Sequence, residues 1–405
     1  MELKAGYKMT EVGIMPKEWE VKKMSELTTL ITNGFVGTIK SHYTESNDGV
    51  IYIQGYNVEE NSFNYTGIKK VTKEFHKLHS KSCLQEGDLL TIQTGDVGLT
   101  TIVPEELVGT NCHALIISRF KSEKYYPKYF SFYLNSLIGR ARLKEIEVGS
   151  TMKHINVGDL IHFLVPIPTK AEQTAIATAL SDADALISSL EKLIAKKRNI
   201  KQGAMQKLLQ PKEGWEVKRL GDIGECIIGL TYTPENVKES GTLVLRSSNI
   251  QKNTLKYEDN VFVNCKIPEK LINQKNDILI CVRNGSRDLI GKCALLIGTA
   301  IGQTFGAFMS VYRSPFNQFV FILFQSNIIK KQIDEHLGAT INQITNKSLN
   351  SFQIPFPPPE EQKQIVDIVS EMDGELVALE IKLEKYRNIK LGMMQNLLTG
   401  KIRLV

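Results

Sequence analysis

The chain has 405 residues, 42% of them hydrophobic, and its 50 basic and 44 acidic side chains leave a formal charge of +6. That length exceeds one typical domain and suits two or three, and no apolar run is long enough to cross a membrane. The small positive balance tolerates an anionic partner without demanding one, and six scattered cysteines with no CxxC pair argue for free thiols over a disulfide frame or a zinc site. The opening stretch MELKAGYKMTEVGIMPKEW carries no apolar core followed by a small-residue cleavage site, so no secretory signal is expected and the cytoplasm is the default compartment.

In chain order, the first landmark is PKEWEVKKMSEL at 16–27, which holds Trp19. The body that follows reads as strand-rich: GVIYIQGYNV, GDLLTIQTG and HALIISRF alternate or concentrate β-branched residues between Gly, Asn and Asp turns. Residues 126–143 have helical apolar spacing. Gly149-Ser150-Thr151 then leads to Pro166 and Pro168, beyond which Ile176, Leu180, Ala183, Ile187, Leu190 and Ile194 step by four and three, the seam of a coiled coil. PKEGWEVKRLGDI at 211–223 restarts the series with Trp215, the only other tryptophan. TLVLRSSN, DILICV and FGAFMSVYR predict strands, residues 315–336 predict helix, and the dense patch from Phe319 to Phe324 is a short buried strand or helix segment. Prolines at 355 and 357–359 precede a second seam of Ile365, Val369, Met372, Leu376, Leu379, Leu383 and Tyr386. Proline is excluded from a helix interior, so each run marks where a long helix starts; at roughly 38 residues, each would measure about 57 Å at ~1.5 Å per residue.

These landmarks form one repeat. RNIKQGAMQKLL at 198–209 returns as RNIKLGMMQNLL at 387–398, and Pro166 matches Pro355 (355 − 166 = 189). The same offset relates Gly149-Ser150-Thr151 to Gly338-Ala339-Thr340, Glu172-Gln173 to Glu361-Gln362, and Gly203 to Gly392. Asp88-Leu89-Leu90 likewise aligns with Asp277-Ile278-Leu279. The expectation is an α+β chain with an internal pseudo-two-fold repeat: two globular mixed α/β domains separated by two long antiparallel coiled-coil helices. The segments expected are 1–165 (first domain), 166–211 (first helix), 212–354 (second domain) and 355–405 (second helix), with LLTGKIRLV returning beside PKEWEV.

Catalytic signatures fail one by one. FPPPEEQ does not make the Asn/Asp-Pro-Pro-aromatic motif of amino-methyltransferases. GSRDLIGK, from Gly285 to Lys292, is one residue too long for a phosphate loop and is followed by Cys293 where Ser or Thr belongs. Glu20-Val21-Lys22 and Glu216-Val217-Lys218 read as solvated strand-edge charges rather than halves of a nuclease metal site. The seven histidines form no HxxxH or HExxH spacing, and His113 and His154 read as surface or hydrogen-bonded residues.

Two Trp-anchored variable bodies, each followed by a P-x-P…EQ turn and a long helix ending in RNIK-x-G-x-MQ-x-LL, resemble the specificity subunit of type I restriction–modification systems. The resemblance covers essentially the whole chain. It implies a non-catalytic DNA-binding protein whose two target recognition domains each read one half of a bipartite target. It also implies helices that set the spacer and dock two methyltransferase subunits, with restriction/translocase subunits joining for cleavage. S-adenosylmethionine, ATP and Mg would sit on those partners, and no cofactor or metal is expected in this chain. Features common to both halves, such as Asn57 and Asn249 or the tryptophans, cannot explain different readings and are assigned to the scaffold. Polar residues that differ are the DNA-contact candidates: Gln54 against Arg246, with Ser248 beside it, and Gln93-Thr94 near Arg283-Asn284. Asp96, His113, Arg287 and Gln303 join them from Gly-flanked loops. Arg198, Gly203, Gln206, Arg387, Gly392 and Gln395, in the repeated helical motif, are the partner-docking candidates. A two-lobed assembly scaffold that binds no DNA, and an enzyme with an unfamiliar site, are the competing readings.

Overall fold

The computed structural model describes residues 5–337 and 342–404. The chain forms two compact units: Met1–Glu191 with Lys382–Val405, and Lys192–Ile381. The expected match at Gly338-Ala339-Thr340 lies outside the described residues.

In the first unit a four-stranded antiparallel sheet has the order Thr100–Ile102, Leu89–Ile92, Leu115–Phe120, Thr28–Asn33. The second unit repeats it as Cys293–Leu295, Ile278–Cys281, Met309–Arg313, Glu225–Ile228. Strands Leu89–Ile92 and Ile278–Cys281 are buried along their whole length, Thr91 included. A smaller sheet beside each is built on Val50–Ile53 or Thr242–Leu245, paired in parallel with Asn111–Cys112 or Thr304–Phe305. Helix Pro127–Asn135 backs the first large sheet and Leu137–Glu145 packs on that helix, while Asn317–Phe324 and Asn327–His336 follow the corresponding strand in the second. The patch from Phe319 to Phe324 is therefore helix.

Each unit is tied shut by the residues that repeat. The strand after each tryptophan pairs antiparallel with the strand that carries the matched proline: Val21 opposite Pro166, and Val217 opposite Pro355. Both prolines thus lie within strands, and the long helices begin a few residues later, at Lys170 and at Pro359. Proline is tolerated at that first helical position because its missing N–H would have no helical partner. The Trp19 indole donates to Glu172 at 3.0 Å, and the Trp215 indole donates to Glu361 at 2.7 Å. Gln173 and Gln362 donate to the carbonyls of Pro168 and Pro357 at 2.9 and 2.8 Å. The EQ pair is thus a latch that fixes a helix start against a tryptophan and a proline turn. A third repeated tie is a two-pronged ion pair under the large sheet, Arg119 with Asp88 and Arg313 with Asp277.

The long helices span Lys170–Leu208 and Pro359–Leu397. Of the predicted seam, Ile176, Leu180, Leu190, Ile194, Ile365, Val369, Leu376 and Leu383 are buried. Within the first unit Glu191 meets Arg387 and Asp184 meets Lys390, each at 2.6 Å, so one number falls as the other rises and the segments run antiparallel. Within the second unit Arg198 meets Glu380 and Lys201 meets Asp373, with the same sense. The exchange is reciprocal: the Arg of each RNIK motif pairs with the glutamate at the matched place in the opposite helix. The chain end returns as expected, with Tyr7 donating to the Gly400 carbonyl at 2.9 Å and Arg403 gripping Glu18 and Glu172.

Candidate nucleic-acid interface

The strand ends that abut the smaller sheet carry most of the candidates. Each of the strands Val50–Ile53 and Thr242–Leu245 ends in a short 3-10 turn, capped by Asn57 or Asn249. Those asparagines are fully buried; their side-chain oxygens accept the backbone N–H of Gln54 or Arg246, and their amides donate to the carbonyls of Asn64 or Lys256. The turn is shared; the residue it presents, Gln54 or Arg246, is not.

In the second unit the loops converge. The Asn284 amide donates to the Ser247 hydroxyl at 3.2 Å, and Lys292 donates to the Ser247 carbonyl at 3.2 Å. Arg283 lies over the ring of Phe308 at 5.2 Å, and Phe308 is itself 60% exposed. Ser248 is exposed alongside. Arg246, by contrast, is held by Asp259 at 2.8 Å, and its Nε is buried without a partner. Arg287 bends to the Asp334 carbonyl at 3.3 Å. Gln303 is turned to the fold: its side-chain oxygen accepts from the Leu243 N–H at 2.7 Å.

In the first unit, Thr94 and Asp96 are exposed and Gln93 is half-buried at the end of Leu89–Ile92. Gln54 donates to the Tyr56 hydroxyl at 3.2 Å. His113 sits against Tyr52 and Phe35, and burial pulls its pKa below the usual imidazole value. The strands set the register between halves: Leu89–Ile92 superposes in pattern on Ile278–Cys281, so Thr94 corresponds to Arg283, and Gln93 to the buried Val282. Gln93-Thr94 therefore falls near Arg283-Asn284 in the match of the two halves, as expected, with a shift of one residue.

No signal in the sequence marks Phe308 and Lys292 as members of this loop cluster, and Gln343 and His154 stand there only as loop residues, His154 reading as a surface or hydrogen-bonded one. A signal for two of them was available: the 189 offset that relates the prolines carries His154 onto Gln343, unlike residues in an otherwise matched segment.

Among the partner-docking candidates, Arg198 and Arg387 are committed to the opposite helix. Gln206 and Gln395 are exposed. A Cβ built at Gly203 or Gly392 meets nothing within 4 Å, so no neighbouring atom of this chain demands glycine at either place. Among the described residues no cluster of His, Cys, Asp or Glu could hold a metal ion, and no helix is long and apolar enough to cross a membrane.

A duplicated fold with shared latches and unlike loop tips defines a class of two-headed recognition protein. Residues 16–202 and 212–385 each match the type I restriction modification DNA specificity domain, and the chain belongs to that family of DNA sequence-specificity subunits. It is 28% identical over 433 residues to the MjaX type I restriction enzyme specificity subunit of Methanocaldococcus jannaschii, covering 98% of this chain and 97% of that one. It is 22% identical to the EcoKI specificity subunit of Escherichia coli K12, covering 95% and 88%. Its fold matches that of the type I restriction–modification S subunit from M. genitalium, with a TM-score of 0.58, 17% identity and 98% of each chain covered.

Proposed function

We propose that this chain is the non-catalytic reader of a type I restriction–modification complex, each unit recognising one half of a bipartite duplex target. The observation that carries this reading is the pairing of identical architecture with different side chains at matched loop positions: Gln54 against Arg246, and Thr94 against Arg283. Common ties such as Trp–Glu and Asp–Arg build both heads alike, so whatever distinguishes two half-sites must reside in the loops. The long helices would fix the unread spacer and, with Gln206, Gln395 and the open surface over Gly203 and Gly392, receive two methyltransferase subunits. Those would bring S-adenosylmethionine, and restriction/translocase subunits would bring ATP and Mg, in the cytoplasm.

Mapping of methylated positions across the genome in cells with and without this gene tests the reading. The expected outcome is loss of one asymmetric motif split by an unread spacer; methylation that does not change with the gene would refute it. A scaffold without DNA contact is separated by fluorescence polarisation, since sequence-specific, salt-sensitive duplex binding in the presence of methyltransferase is expected only of a reader.

A further inference from the structure

One structural detail recurs in both units and carries unlike side chains. An isolated antiparallel bridge joins the residue just beyond the central strand to the segment leading back toward the long helix: Thr94 with His154 in the first unit, Arg283 with Gln343 in the second. The flanking backbone bonds repeat as well, Ile155 N–H to the Gln93 carbonyl at 3.1 Å and Ile344 N–H to the Val282 carbonyl at 2.9 Å. Ile155, Val282 and Ile344 are buried. Side chains alternate along extended backbone, so the bridged residues point the other way, out of the core. Residues directly opposite in an antiparallel pair have Cβ atoms roughly 4.5–5.5 Å apart on one face. The bridge therefore presents two adjacent side chains to solvent, from two different segments.

The second pair is uncommitted. Neither the Arg283 guanidinium nor the Gln343 amide has a hydrogen-bond or ion-pair partner among the described residues, and the Phe308 ring beneath Arg283 steadies its plane. In the first unit a tight turn at Gly149, with φ +98°, pairs Val148 with His154, and a Cβ at Gly149 would lie 2.3 Å from the Met152 carbonyl. Only glycine fits there, so the turn fixes the backbone that displays His154.

We infer that the bridged pairs Arg283–Gln343 and Thr94–His154 are equivalent base-reading positions, through which the two units distinguish different bases in the major groove. The inference rests on the DNA-reading function proposed above. An arginine fork matches guanine O6 and N7, and a glutamine amide matches adenine N6 and N7, each in two-pronged fashion. Threonine and histidine offer neither geometry; a threonine methyl suits the thymine methyl, and a histidine supplies one donor or acceptor. The same backbone device would thus hold two vocabularies.

The test is selection from randomised duplex DNA by the full chain assembled with its methyltransferase subunits, for the wild type, Arg283→Ala, Arg283→Lys, Gln343→Ala and the graft Thr94→Arg with His154→Gln. Circular dichroism melting checks that each variant folds. Arg283→Ala is expected to lose preference at one position of one half-site, with affinity for the preferred base falling roughly 5- to 150-fold. The other half-site should be unchanged. Arg283→Lys keeps the charge and is expected to lose the base preference all the same, because lysine lacks the fork. The graft should move the second unit's preference into the first half-site. Unchanged selection by Arg283→Ala and Gln343→Ala, or a uniform weakening on all sequences, overturns this inference and leaves the proposed function standing. A wild-type complex that selects no sequence overturns both.

Discussion

The Glu172 carboxylate shows how much one repeated residue carries. It is wholly buried, accepts the Trp19 indole N–H, and is gripped by Arg403. Its counterpart Glu361 bonds Trp215 and Lys212 but is partly open to water. Neutralising Glu172 leaves a buried site without the charge that Arg403 and the indole N–H are arranged around, although Arg403 keeps Glu18. Glu172→Gln is therefore expected to lower the urea midpoint markedly, and Glu361→Gln to lower it less; equal effects would show that the burial difference has no energetic consequence. A second residue makes a pH prediction. Burial depresses the His113 pKa, so the unfolded chain binds its proton more readily than the folded one. The stability tied to the neutral ring is complete above the unfolded value of about 6.5 and is lost as pH falls from there through the lower folded value. The drop in melting temperature between pH 7.5 and 5.5 should accordingly be smaller in His113→Gln than in the wild type.

The residue scale also shows what could be read without coordinates. The tryptophans, the EQ pairs and Asp88 with Asp277 were visible as repeats because each makes a bond that the fold needs twice. What each bonds to was not visible, since Arg119 and Arg313 lie 31 and 36 residues from their aspartates. Candidate contacts were legible only where sequence spacing stayed constant. Arg246 is a contact candidate in the sequence, and Asp259, 13 residues on, gives no local signal that it is paired. Gln303 read as a loop amide for the same reason, its acceptor being occupied by Leu243, 60 residues away.

At the scale of elements, the seam was legible from its period alone, and the ion pairs beside it explain why RNIK repeats. Glycine inside each helix is the feature that neither pattern demands. Gly203 and Gly392 have helical neighbours on both sides and open space where a Cβ would go. Alanine at such a position favours helix by about 1 kcal/mol. Each Gly→Ala change in the isolated chain is thus expected to raise stability by roughly that amount in chemical denaturation. Leucine at both places would occupy the open surface. If a methyltransferase helix lies there, Gly203→Leu with Gly392→Leu should lose co-purification with that subunit while the chain itself stays folded; undiminished assembly would leave the glycines without a docking role.

The whole molecule imposes a constraint that no single element shows. The first long helix starts at the Glu172–Trp19 latch and ends just before Trp215; the second starts at the Glu361–Trp215 latch and ends just before Arg403, which grips Glu172. Each rod is thus latched at its start within its own unit, and each is 39 residues long. Adding a heptad to one rod alone would displace its partners by about 10 Å at ~1.5 Å per residue, which no side chain spans. Either the Arg198–Glu380 set or the Arg387–Glu191 set must then separate, together with a latch. A single insertion after Glu191 is expected to destabilise the chain, whereas matched insertions after Glu191 and Glu380 keep every reciprocal pair and the seam in phase. On the proposed function, the matched insertion should lengthen the unread spacer by roughly three base pairs, at ~3.4 Å each, and leave both half-sites as they were. Methylation mapping of that variant decides the matter: altered half-sites with an unchanged spacer would mean that the helices do not measure the target.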